Sequence, residues 1–177
     1  MQMKKPSNAR CKATAYHEAG HAVVGRVLTL VCGEATIKRD YKSRTAGVSI
    51  CADPYACLYE WERRGKVRTQ NAVWIARTIA FIAGAEAQVE LLGTPRSRIG
   101  DADDRYQIAL MLEEIAPANW DRYEARLRAM TRMLVRRHKA RIERVAKALL
   151  AKQNQSSFSS FSSFAYEING LLELEKT

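Results

Sequence analysis

"ATAYHEAGHAVVGRVL", residues 13 to 28, holds two of the chain's three histidines. His17 and His21 lie four positions apart, with Glu18 directly after the first. On a helix, residues four apart point nearly the same way, so the two imidazoles can bind one ion together. Glu18 stands about 100° round the axis from His17, where it can reach a metal-bound water without being a ligand itself. The stretch is helical in pattern: Tyr16, Ala19, Val23, Val27 and Leu30 follow one another at intervals of three and four residues. A helix over 12 to about 31 is expected, with Gly33 placed to end it.

A catalytic zinc needs a third protein ligand and an open position for water. Val24 and Val27 stand three and six residues beyond His21, which excludes the extended motif that places a third histidine on the same stretch. Glu34 lies too close to the pair, and Glu60 falls in a segment, 53 to 65, to which the pattern assigns no element. "GDADD", residues 100 to 104, offers Asp101, Asp103 and Asp104 at the start of a later helix. One of these three is expected to cap that helix. Spacing alone does not choose among them as ligands.

The chain has 177 residues, 47% apolar and 27% charged, which suits one domain with a real core. No run of about 18 uncharged apolar residues occurs, so no membrane span is expected, and the basic N-terminus lacks a signal-peptide apolar region. A cytoplasmic protein is the expectation. Cys11, Cys32, Cys51 and Cys57 show no metal-ribbon spacing and read as free thiols; a Cys51–Cys57 bridge is conceivable without positive support.

The net charge of +10 is concentrated in residues 126 to 147, where nine Lys/Arg face one acid, Glu143. Such a stripe suits nucleic acid, an anionic surface or an acidic partner. It also suits the solvated face of a helix whose apolar side is Leu127, Met130, Leu134, Ile142, Val145 and Leu149. The solvated face is the preferred reading, and nucleic acid is not an expected partner.

Between the helices, "ATIKRD" and "AGVSIC" read as short strands of a small sheet. A helix over about 69 to 92 carries Val73, Ala76, Ile79, Ala80 and Ala83 on its apolar side and stops at Gly93 and Pro95. A third helix opens from "GDADD" and ends at Pro117, and a long basic helix then runs to about Lys152. "SSFSSFSSF", residues 156 to 164, reads as a linker carrying Phe158, Phe161 and Phe164, with a short closing helix after it. The expected fold is mainly α with a small β-sheet, a metal helix joined to a helical bundle. Residues 1–152 would form the domain, and 153–177 a linker and closing helix packed on it. No phosphate-binding glycine signature occurs, so no use of ATP is expected.

"AYHEAGHAVVG" resembles the start of the peptidase domain of the FtsH family of zinc proteases. Further segments resemble that domain in the same order: "ATIKRDYKSRTAGVSI" its strand pair, "IAFIAGAEAQVELLG" its Ala/Glu-rich helix, "GDADDRYQIALML" its aspartate turn, and "RIERVAKALLAKQ" with "YEINGLL" its closing helices. The resemblance implies a zincin-type fold with zinc held by His17, His21 and Asp104, and Glu18 as general base. It also implies that Gly47 and Val48 lie on an edge strand that binds extended substrate through its backbone. The departures are definite. The family's membrane helices and ATPase module have no counterpart here, its paired glutamates fall on Gln88 and Val89, and its asparagine before the aspartate ligand is Asp103.

These readings lead to an expected ATP-independent zinc metallopeptidase acting on peptides or unstructured protein segments. Three alternatives stay open. They are a catalytically silent zinc-binding scaffold, a basic nucleic-acid-binding module, and a helper of a separate ATPase partner. A homo-oligomer is compatible with each.

Overall fold

The computed structural model describes residues 7–30, 32–37, 47–66, 70–95, 101–116 and 118–155. The fold is mainly helical. The elements in order are α1 (Asn8–Val27), β1 (Cys32–Thr36), β2 (Val48–Cys51), α2 (Pro54–Arg63), α3 (Gln70–Leu92), α4 (Ala102–Ile115), α5 (Trp120–Arg137) and α6 (Lys139–Gln155). Of the linker and closing helix expected over 153–177, residues 153–155 instead belong to α6, and 156–177 lie outside the described residues.

α1 starts earlier than its apolar pattern suggests because Ser7 caps it, accepting from Arg10 N at 3.3 Å. It also stops earlier, at Val27. Leu30 N donates to Gly25 O and Thr29 N to Arg26 O, with Thr29 at φ 62°, which is a Schellman close. A β-branched residue in the left-handed region is unusual. Gly33, expected as the terminator, lies inside β1 instead. The strands form an antiparallel pair with Cys32 opposite Cys51, Ala35 opposite Ser49 and Thr36 opposite Val48, and a bulge between Cys32 and Ala35.

The segment left unassigned is α2, and its signal was local. Asp53 accepts from Tyr55 N and Ala56 N, and Pro54 takes the first helical turn, where its missing N–H costs nothing. Its inward anchor is Trp61, only 1% exposed, whose Nε1 donates to Thr29 O at 2.7 Å. Leu30, Cys57, Val73, Ala76 and Ala80 complete that smaller cluster.

α1 and α3 form the centre, and they pack closely because their facing residues are small. A Cβ on Gly20 would stand 2.5 Å from Ala83 O and 2.8 Å from Ala87 Cβ. The expected apolar side of α3 is buried at all five positions. This helix is also long and apolar enough to cross a membrane (Asn71–Leu92, mean hydropathy 1.2), but 72% of that window is buried inside the fold, as in a core helix.

The single long basic helix expected from "PANWDRY" to about Lys152 is instead two helices that meet at His138. His138 N donates to Leu134 O and Ile142 N to His138 O, so the joint is a bend rather than a loop. The bend lets α5 pack along α3 while α6 packs along α1. Leu127, Ile142, Val145 and Leu149 are buried as expected, but Met130 is 42% exposed, and Thr131 and Val135 face inward in its place.

The basic stripe is more than a solvated face. Arg128 Nη1 lies 3.2 Å from Glu86, which is fully buried on α3, and Arg128 also pairs with Glu124 at 2.6 Å. Arg132 approaches Glu86 at 3.8 Å, and Arg136 pairs with Glu90 at 2.7 Å. Guanidinium groups of α5 thereby match the carboxylates of α3; the charge of the fully buried Glu86 depends on its partners, whereas the Arg136–Glu90 pair is exposed.

Candidate metal centre

His17 and His21 sit on the buried face of α1, one turn apart, with their rings at 86° to each other and their Nε2 atoms 3.0 Å apart. Asp104, in the first turn of α4, brings Oδ2 to 2.9 Å from His17 Nε2 and 3.3 Å from His21 Nε2. No other group of three or more His, Cys, Asp or Glu side chains among the described residues is placed to hold a metal ion.

The tautomer of His21 follows from a neighbour. Its Nδ1 is 2.7 Å from the carbonyl of Ala80 on α3, and a carbonyl only accepts, so Nδ1 carries the proton. A neutral His21 therefore turns the lone pair of Nε2 toward His17 and Asp104. This contact depends on the close approach of α3, and Gly84 is where it is tightest. A Cβ there would stand 2.4 Å from His21 Nε2 and 2.8 Å from His17 Cε1.

Three donor atoms within 3.3 Å of one another repel unless a proton or a metal ion lies among them. Asp104 Oδ2 and His17 Nδ1 are also buried without a hydrogen-bond partner. Two imidazole nitrogens and one carboxylate oxygen make a familiar catalytic donor set, and donors about 2.0–2.1 Å from a tetrahedral zinc lie about 3.3–3.4 Å apart. The spacings of 2.9, 3.0 and 3.3 Å come close to that triangle, so the residues present fit a small divalent metal.

Without a metal, the charges of the cluster favour a proton on it. Burial works against a charged His21, but Asp104 and Glu18 outweigh it and lift the imidazole to about 9. Asp104 is likewise buried, yet the two imidazoles hold its carboxyl well below the ordinary range. Glu18 is only 5% exposed, and burial raises its carboxyl, with the imidazoles partly offsetting the rise.

The three aspartates of the turn take different places. Asp104 joins the histidines, and Asp103 points to solvent. Asp101 occupies the N-cap position of α4 without making a side-chain cap bond. Its buried carboxylate lies instead with Oδ1 3.9 Å from His17 Nδ1, the ring nitrogen facing away from the cluster. At 3.9 Å the two do not hydrogen-bond, and the carboxylate acts on that nitrogen through its charge alone. Glu60, the other acid weighed as a ligand, is engaged with Arg63 at 2.7 Å and Arg64 at 2.6 Å on α2.

Gly47 lies against Glu18: a Cβ on it would stand 2.6 Å from Glu18 Oε1 and 2.9 Å from Thr14 Cγ2. Val48 opens β2, which among the described residues pairs only with β1. Gln88, where the resemblance places a glutamate, donates to Ala13 O at 3.0 Å and ties α3 to the start of α1.

Sequence reading missed two contributors: Ala80 through its carbonyl and Gly84 through its lack of a side chain. Only Gly84 left a trace, as a glycine inside an otherwise strong helical pattern, where a packing reason is the usual explanation. No protein-family model matches this chain, and no curated protein matches it. The likeness to the FtsH peptidase domain therefore rests on the motifs quoted above.

Proposed function

We propose that the chain is a zinc metallopeptidase of zincin type that acts without ATP on peptides or unstructured protein segments. The observation that carries the reading is the convergence of His17 Nε2, His21 Nε2 and Asp104 Oδ2 beside the buried carboxyl of Glu18. His17, His21 and Asp104 would hold the zinc. When bound, zinc supplies Lewis-acid polarisation of the scissile carbonyl and acidifies a water.

Glu18 does the proton work. Its burial raises the affinity of the carboxylate for a proton, which suits a group that takes one from water and returns it to the leaving amine. Gly47 supports this assignment, because the absence of a side chain there lets the start of β2 lie directly against Glu18. An extended peptide paired to β2 would run past that carboxyl, its backbone hydrogen-bonded near Gly47 and Val48. The FtsH-like order of motifs supports the same reaction class.

The test is hydrolysis of a mixed unstructured peptide library, without ATP, by zinc-loaded wild type beside Glu18→Gln. Cleavage by the wild type that the substitution abolishes, with zinc content equal in both, is the expected result. Inactivity of both proteins at full zinc occupancy would overturn the peptidase reading and leave a zinc-binding scaffold or a partner-dependent helper.

A further inference from the structure

We infer that Cys32 and Cys51 are a redox pair that closes reversibly to a disulfide across the β1–β2 ribbon. The two residues face each other in the antiparallel register, and their Sγ atoms are 2.9 Å apart. That is less than an ångström beyond the ~2.05 Å of a formed bond, and opposed residues of an antiparallel pair have Cα spacings inside the range that disulfides span. Both thiols are free and partly buried. The alternative bridge conceivable from the sequence, Cys51 to Cys57, has no such support, because the Cys57 thiol is buried and directed at Ala52 O.

The surroundings favour exchange chemistry at Cys51. Hydrogen bonding from Cys32 lowers the Cys51 thiol against the effect of burial, with the charges of Arg77, His21 and Arg26 adding to it, while the Cys32 thiol is raised. Arg26 Nη2 donates to Cys32 O at 3.0 Å, and Arg77 Nη1 donates to Ala52 O, so both cations are fixed to the ribbon end. The oxidant is a small organic disulfide. The Cys51 thiolate attacks one of its sulfurs and releases one small thiol. Cys32 then attacks Cys51 Sγ in the mixed disulfide, releasing the second thiol, and the two protein protons pass to the two leaving thiolates.

The closed bond would tie the ribbon down beside α1. Gly25 of α1 lies under the pair, where a Cβ would stand 2.6 Å from Cys32 Sγ and 3.4 Å from Cys51 Sγ. The cross-link encloses the segment that contains Gly47, which lies against Glu18. Oxidation would therefore restrain that neighbour of the candidate base.

The full chain would be incubated with glutathione disulfide, trapped by alkylation and mapped by mass spectrometry, alongside Cys32→Ser. The expected wild-type result is a Cys32–Cys51 cross-linked peptide that dithiothreitol reverses, with Cys11 and Cys57 still alkylated. Cys32→Ser is expected to accumulate a glutathione adduct at Cys51, because the thiol that resolves it is gone. Persistent glutathione adducts at Cys32 or Cys51 of the wild type, a cross-link through Cys11 or Cys57, or no loss of thiol at Cys32 and Cys51 would each overturn the inference. The wild-type map decides the question even if the variant misfolds, and neither result depends on the metal reading.

Discussion

Replacing Gly84 by alanine should separate metal binding from folding. In an ordinary helix interior the change would stabilise α3 by about 1 kcal/mol. Here the new methyl would stand 2.4 Å from His21 Nε2, 2.6 Å from His21 Cε1 and 2.8 Å from His17 Cε1. Reaching ordinary contact requires the His21 ring to move by about 1 Å, and overpacking of this kind costs about 1–3 kcal/mol. The opposing terms leave a net loss of about 1 kcal/mol, or about 2–4 °C in Tm for a chain of this size. The ligand triangle is far less tolerant, since metal–ligand distances hold to about 0.2 Å. Zinc affinity should therefore fall by at least about 100-fold, beyond the usual cost of disturbing an outer-shell partner. Competition against a chromophoric chelator would measure the affinity, and differential scanning fluorimetry of the metal-free proteins the stability. Gly20→Ala is the comparison for stability alone, because its methyl would meet the backbone of α3 at Ala83 O and should lower Tm. Wild-type zinc affinity in a folded Gly84→Ala protein would refute the placement of α3 against the histidines.

The remaining predictions follow from neighbouring contacts. In the metal-free protein, His21 is raised from 6.5 to about 9, so its stabilising contribution is full below about pH 6.5 and disappears as pH rises through 9. Zinc must displace that proton, so apparent affinity should rise about tenfold per unit over the same window while the metal-free Tm falls; a flat affinity would contradict the assignment. Asp101→Asn should weaken zinc binding by about tenfold while leaving metal-free stability near wild type, read by the same chelator competition; an unchanged affinity would show that its charge does not act on His17. Arg128→Met removes the nearer partner of the fully buried Glu86 and should cost about 3 kcal/mol in chemical denaturation, with Arg132 too distant to compensate fully; Arg63→Met, whose pair with Glu60 is exposed, should change nothing measurable.

The local features were legible in the sequence because each depends on near neighbours along the chain. The four-residue spacing of His17 and His21 put both imidazoles on one face of a helix, and the apolar periodicity of 73–83 identified the buried side of α3. The Asp53-Pro54 cap of α2 was equally local and was overlooked because aromatic residues and mixed charge obscured the helical pattern behind it. The two ends of α1 were misjudged for a related reason. Its start depends on the Ser7 cap, and its close is held by backbone bonds around Thr29, to whose carbonyl Trp61 donates from 32 residues away.

Tertiary structure decided the rest. Three aspartates stood in one turn, and nothing in their spacing separated them. The packing of α4 against α3 sends Asp104 to the histidines, brings Asp101 toward the outer nitrogen of His17 and leaves Asp103 in water. The small residues of α1 and α3 permit an approach that no periodicity reveals, and that approach brings the Ala80 carbonyl to His21. The bend at His138 likewise shares the basic stripe between two helices, and its arginines on α5 meet the buried Glu86 and the partly exposed Glu90 of α3. A sequence determines which side chains can bind a proton or a metal, whereas their distances depend on packing between segments far apart along the chain.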